Sequence, residues 1–376
     1  MAAAKMSWEE LGRRVAEARR IAGFSQEQLG KPLGLDRSAV SRIESGARGV
    51  DSLELSQISA QLERPIEWFI RPRPPTIISR RASRAAGKTQ AGDLVLEDLV
   101  ADVELLLELD VLDVPASTRR GRRVKFSNTA DAEKLARAAR KAGGVADGAP
   151  VDLVEVAERL GLLVFLIDVA HPGFDGSYVA LPSLGVALVA GGLASGKRRF
   201  TIAHELGHHF LQDEFDTFVD LPVGKGKRER LVDAFAVHFL LPRKQVTQHF
   251  RELVEAGTDL RGAALHLGAA YGVSWTALCA QLKNLSLIKE PERRLLSDDV
   301  PTRAEFLERG LQFRPERTVP VLPTKFAGAV IRAYRGRKIS AGRAVQMLRG
   351  SLGQDELPVL RPVPIEALAG DFEDEK

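Results

Sequence analysis

Two histidines four residues apart, with a glutamate between them, constrain this chain more than any other feature: His204-Glu205-Leu206-Gly207-His208. Residues four apart stack on one face only in a helix, so the spacing predicts a helix from Phe200 to Leu211 with both imidazoles on one side. Paired this way, the histidines can share a metal ion. Glu205 sits one residue along, where it can take a proton from water at that ion. Two histidines make an incomplete shell, so the third ligand decides the reading. The longer pattern HExxHxxGxxH, with a glycine and then a third histidine, is excluded, because Leu211 and Glu214 stand at those two later positions. The next candidate is a glutamate on a second helix. The segment Glu229-Arg230-Leu231-Val232-Asp233 supplies Glu229, with Asp213, Glu214 and Asp216 in reserve. Asp233, one turn on, is placed to accept the free N–H of a ligand histidine and so fix its tautomer. The ion that suits such a set is Zn2+. His209 and His238 are expected as packed histidines, and Tyr178 as a core tyrosine.

The rest of the chain sets the frame. Its 376 residues exceed one ordinary domain. No apolar run is long enough to span a bilayer, so no membrane partner is expected. The opening MAAAKMSWEE puts acids where an export signal needs an apolar core. With one cysteine, Cys279, an intrachain disulfide is excluded, and a cytoplasmic location is expected. The net charge of +4 is unevenly spread: residues 1–92 hold 16 Lys and Arg against 10 Asp and Glu. A basic amino-terminal part points to a polyanionic partner. Residues 71–92, with six bases, no acid and several prolines, read as a linker that cannot bury a core. A helix over 93–112 follows, apolar on the side of Leu96, Leu99, Val103, Leu106 and Leu107. The expected organisation is a helical module over 1–70, the basic linker and acidic amphipathic helix over 71–130, an α+β domain over 131–290, and a helical extension with an acidic tail over 291–376. Within the third part LLVFLIDV and GVALVA read as strands. Residues 262–286 read as two small helices packed on that domain.

In the amino-terminal part, a first helix carries Leu11, Val15, Ala18 and Ala22 on one face and ends at Gly23. Ser25 and Gln28 have the spacing of a capping box. Gly34 makes a turn, and Asp36 caps a third helix whose Val40 and Ile43 face inward. Two short helices about a glycine turn are a helix-turn-helix, whose second helix enters the DNA major groove by its start. The outward residues there are Arg37, Ser38, Ser41 and Arg42, able to reach base edges or phosphates, and Arg48 adds a phosphate-binding charge. The pattern RxxxGFSQEQL…LDRSAVSRIESG over residues 8–70 resembles the Cro/C1-type (XRE) helix-turn-helix domain. That resemblance implies a five-helix domain binding an inverted-repeat operator in double-stranded DNA as a homodimer. It places Gln26 with Arg37, Ser38 and Arg42 among the DNA contacts, and Arg19 and Glu44 as a buried ion pair. Pro32 departs from the pattern and predicts a kink in helix two.

RRFTIAHELGHHFL followed by ERLVDAFAVHFLLP resembles the ImmA/IrrE-type zinc metallopeptidase domain, over about residues 131–290. Val232 stands where that pattern usually has alanine. The resemblance implies a zincin-like fold of the gluzincin type, with GVALVA as an edge strand able to hold a peptide by strand addition. It also implies control of gene expression by specific proteolysis, the cut protein being a regulator such as a Cro/C1-type repressor in a stress, prophage or mobile-element response. The expected fold is therefore mainly α with a small β-sheet, and the expected activity a zinc-dependent endopeptidase with Glu205 as catalytic base. Two alternatives stand beside it: a non-proteolytic transcription factor with a structural or sensory zinc site, and an antitoxin-like partner binding through its acidic helix and helical tail.

Overall fold

The computed structural model describes residues 6–62, 64, 66–70, 79–82, 90–113, 127–145, 148, 150, 152–169, 173–211, 222–311 and 318–360. Five helices come first: α1 (Trp8–Ile21), α2 (Gln26–Gly30), α3 (Arg37–Glu44), α4 (Ser52–Gln61) and α5 (Ile66–Ile70). Their common core holds Leu11, Val15, Ala18, Leu29, Val40, Ile43, Ile58 and Phe69. The capping box at α2 forms as the spacing predicts, with Ser25 Oγ accepting from Gln28 N at 3.1 Å and Gln28 Oε1 accepting from Ser25 N at 2.7 Å. Helix two is not kinked at Pro32. The α-helix stops at Gly30, and Lys31–Leu33 form a 3-10 turn with the proline in its first positions. There the missing N–H and fixed φ are harmless, so the interior-proline cost is avoided. Gly34, at φ 68°, then reverses the chain.

The remaining elements run β1 (Ser79–Ala82), α6 (Gln90–Glu108), α7 (Thr129–Ala142), α8 (Leu153–Arg159), β2 (Leu162–Ile167), β3 (Phe174–Ala180) and β4 (Gly185–Ala190). They continue with α9 (Ser195–Leu211), α10 (Pro222–Leu240), α11 (Arg243–Glu255), α12 (Leu260–Tyr271), α13 (Trp275–Asn284), α14 (Glu290–Asp298), α15 (Arg303–Glu308), α16 (Thr324–Arg335) and α17 (Ala341–Met347). The strand order is β1-β3-β4-β2, with β2 parallel to β4 and the other pairs antiparallel.

Strands β2 and β4 are buried along almost their whole length, as befits a sheet covered on both faces. Leu162, Val164, Tyr178, Ala187 and Val189 face α7–α10, packing on Ile202, Leu206, Phe235 and Phe239. The alternate residues Leu163, Phe165, Val186 and Leu188 meet α6, α16 and α17, through Leu96, Leu99, Val103, Phe326, Val330 and Met347. The acidic helix and the carboxy-terminal helices thus build one core layer although they lie far apart in sequence. A third core joins α11–α15, where the two small helices α12 and α13 bury Leu265, Leu267, Leu278 and Cys279. The architecture is mainly helical with one small mixed sheet, a helical amino-terminal module and a helical carboxy-terminal region.

Two expectations change. GVALVA is an interior strand, not an edge: β4 is flanked by β3 and β2 and is buried at every position. Of the stretch read as a linker, residues 71–78 and 83–89 lie outside the described residues, and Ser79–Ala82 form an edge strand paired with β3. The amino-terminal module meets the remainder through an ion pair between Arg64 and Asp98 of α6.

Candidate metal centre and nucleic-acid interface

Helix α9 is a buried helix: every residue from Thr201 to His209 is inside. Its start is tied down by Arg198, whose guanidinium donates to the carbonyls of Gly191 at 2.5 Å and Leu193 at 3.0 Å. Helix α10 crosses it at Gly207. A Cβ there would stand 3.0 Å from both Phe235 Cδ1 and Val232 Cγ1, so the glycine sets how closely the two helices approach. That closeness brings Glu229 to the histidines.

His204 Nε2 lies 3.2 Å from His208 Nε2 and 3.3 Å from Glu229 Oε2, and His208 Nε2 lies 3.6 Å from Glu229 Oε1. Tetrahedral ligands about 2.0–2.1 Å from a zinc ion are separated by about 3.3–3.4 Å, so the spacing fits such an ion. His204 Nδ1 sits 2.9 Å from Asp233 Oδ1. A carboxylate accepts only, so Nδ1 carries the proton and Nε2 presents its lone pair to the cluster. Burial raises the carboxyl of Glu229, but the neighbouring His204 and His208 imidazoles outweigh it and hold the group well below the usual carboxylate range. Glu229 and Asp233 are about half exposed (46% each), against 3% for each histidine, so α10 forms the solvent side of the site.

Glu205 is fully buried, and neither carboxylate oxygen has a hydrogen-bond partner among the described residues. Leaving such a group unpaired is costly, and a water held at an adjacent metal ion is the kind of donor that would satisfy it. Its cover is β3: a Cβ on Gly176 would lie 3.2 Å from Glu205 Oε1 and 2.7 Å from Thr201 Cγ2. Nothing in the spacing of the sequence marks Gly176, because its role depends on β3 crossing α9.

His209 and Tyr178 are core groups. His209 Nε2 donates to the Leu160 carbonyl at 3.1 Å, which leaves Nδ1 to accept from the Tyr178 hydroxyl at 3.2 Å. Burial drives the His209 imidazole down to about 4 and the Tyr178 hydroxyl up. His238 is half-buried, 3.4 Å from Gln281 Nε2.

On the amino-terminal module, Asp36 caps α3 by accepting from Ala39 N at 2.6 Å, and Arg37, Ser38, Ser41 and Arg42 are all exposed along it. Val40 and Ile43 turn inward. Glu44 takes Arg19 Nε at 2.5 Å, Arg19 Nη2 at 3.1 Å and Gln26 Nε2 at 2.8 Å. Gln26 is therefore held against α3 by the group that pairs with Arg19. Arg48 is drawn toward α4 by Glu54, at 2.5 Å.

A helix-turn-helix module and an α+β domain with a His-His-Glu site able to hold a metal ion are what these elements define. Comparison with known proteins agrees. Residues 10–57 match the family of the helix-turn-helix domain, and residues 157–283 match the family of the IrrE N-terminal-like domain, so the chain joins one of each. No curated protein matches it significantly. Among solved structures the chain is similar to Bacillus thuringiensis PlcR, crystallised with the peptide PapR7 and DNA, at 18% identity. That alignment covers 77% of this chain and 92% of the other, with a TM-score of 0.16. Among the described residues no helix is long and apolar enough to cross a membrane.

Proposed function

We propose that this protein is a DNA-binding transcriptional regulator that carries a zinc-dependent endopeptidase acting on another regulatory protein in the cytoplasm. The observation that carries the proposal is the buried carboxylate of Glu205, without a hydrogen-bond partner among the described residues, beside His204, His208 and Glu229. A site that merely staples the fold has no use for that carboxylate. When bound to His204, His208 and Glu229, zinc supplies Lewis acidity that polarises a carbonyl and acidifies water. Asp233 holds His204 in the tautomer that exposes Nε2. Glu205 accepts a proton from the attacking water as its oxygen bonds to the scissile carbon. It then delivers the proton to the amine as the C–N bond breaks. No other side chain inside the motif can do this, since Leu206 and Gly207 carry no titratable group.

Arg37, Ser38, Ser41 and Arg42 form the reading face for an inverted-repeat operator bound by a homodimer, with Gln26 and Arg48 at its margins. The substrate class that suits the pairing of modules is a regulator cut in an extended segment, such as a Cro/C1-type repressor. Loss of its dimerisation element removes the second half-site. The test compares wild type with Glu205→Gln in the source cells, reading regulator fragments by mass spectrometry. The variant should keep zinc, fold and DNA binding, yet yield no fragment. Identical fragments and identical regulation in both would leave a non-cutting regulator in its place.

A further inference from the structure

We infer that the outer edge of β3 is the peptide-binding site of the metal-bearing domain, and that the strand Ser79–Ala82 of the same chain is its resident occupant. The inference rests on the peptidase reading for what the site is used for, but not for its geometry. β3 is the strand that passes over Glu205, and a Cβ on its Gly176 would lie 3.2 Å from Glu205 Oε1. On its inner side β3 pairs with β4, from Gly176↔Val189 to Ala180↔Gly185. Its outer side is the position at which an extended peptide can add as a strand beside the His-Glu-His helix. That position is filled: β1 runs antiparallel to β3, with Ser79 opposite Tyr178, Arg80 opposite Ser177 and Arg81 opposite Gly176. The register then shifts, so that Ala82 faces Phe174 and Asp175 is skipped. The irregularity falls level with Gly176, beside the catalytic carboxylate.

The occupant is suited to being exchanged. It spans four residues, and it comes from a stretch, 71–92, with six bases and no acid, whose composition supplies no core of its own. Its attachment is by backbone pairing, which any extended segment with free N–H and C=O groups can reproduce and which proline cannot. The ligand class is accordingly an extended, proline-free peptide segment in antiparallel orientation to β3. β1 lies between α5 of the DNA-binding module and α6, so a peptide entering the site displaces a strand tethered to both. The linker is a competitor carried in the chain itself, and substrate entry and the tether between the modules are one event.

The probe is a fluorescein-labelled peptide with the sequence of residues 76–85, added to the full-length zinc-loaded chain in a Glu205→Gln background and followed by anisotropy. A second chain carries Arg80→Pro and Arg81→Pro as well, which removes the competing strand. The peptide should bind the proline-bearing chain at least about tenfold more tightly than the other. The same peptide N-methylated at its two central arginines should not bind. Equal affinity for both chains, or binding unaffected by N-methylation, overturns the inference. Hydrogen exchange on the unsubstituted chain does not depend on the variants folding. Amides of residues 79–82 should be slowed by about 100-fold and released by excess peptide, and free exchange throughout overturns the inference as well. Because binding is read without cleavage, a peptide that binds but is never cut by a chain retaining Glu205 defeats the peptidase reading alone.

Discussion

Glu44 is the residue whose loss should most disturb the DNA-binding module. It is 9% exposed at the side chain, its partner Arg19 is 12% exposed, and it accepts three hydrogen bonds, two from Arg19 and one from Gln26. Arg19 also donates to the Phe24 carbonyl at 2.6 Å, so α1, the start of α2 and the end of α3 converge on one carboxylate. Glu44→Ala leaves a largely buried guanidinium with only that carbonyl among the described residues. Breaking a buried pair from one side costs about 3–5 kcal/mol. At 1.4 kcal/mol per tenfold, local opening of the module should become about two to four orders of magnitude more frequent. Native-state hydrogen exchange on the intact chain reads this in peptides from α1 and α3, with peptides from α12 and α13 as an internal reference. In a double-mutant cycle with Arg19→Ala, the second substitution should cost much less than the first, with a coupling of about 1–3 kcal/mol. Protection in α1 and α3 that falls by less than about tenfold for either single variant, or costs that simply add, would refute the argument that the pair is a buried, mutually dependent unit.

Other outcomes follow from the same geometry. Zinc should bind at about one ion per chain and be lost in His204→Ala, His208→Ala or Glu229→Ala, read by metal analysis after dialysis. Full occupancy in His208→Ala would remove the site. Asp233→Asn should keep zinc but weaken it by about 10–100-fold in a chelator competition, since it loosens one histidine and removes no ligand. Arg37→Ala and Arg42→Ala should each lower the slope of log affinity against log salt by about one on operator DNA, and an unchanged slope in both would exclude α3 from the interface. Burial raises the Asp98 carboxyl to about 6 despite Arg64, Arg349 and Arg343 nearby. The folded state therefore holds that proton more tightly than the unfolded chain, near 3.9, and stability contributed there is lost as pH rises through about 6, by up to about 3 kcal/mol. Asp98→Asn should flatten that part of the unfolding-midpoint profile between pH 4.5 and 7.5, and an equal slope in both proteins would assign it to another group.

What the sequence determined by itself is what lies within one turn or one element. Four-residue spacing put His204 and His208 on one helix face, and the same spacing put Glu229 and Asp233 on one face of α10. A serine and a glutamine three apart made the cap of α2. Each rests on helical period or local hydrogen bonding, which a linear string carries. The tertiary structure alone decided which strands are neighbours. GVALVA carried nothing to say that β2 and β3 would flank it, and strand Ser79–Ala82 sits in a stretch whose prolines and arginines argue for a linker. Its pairing comes from the free edge of β3, not from its own composition. The approach of α10 to α9 at Gly207, the crossing of β3 over Glu205 at Gly176, and the assembly of α6 with α16 and α17 into one layer are likewise contacts between distant segments. Period and propensity act along the chain, whereas these contacts are set by which buried surfaces fit one another once the chain has collapsed.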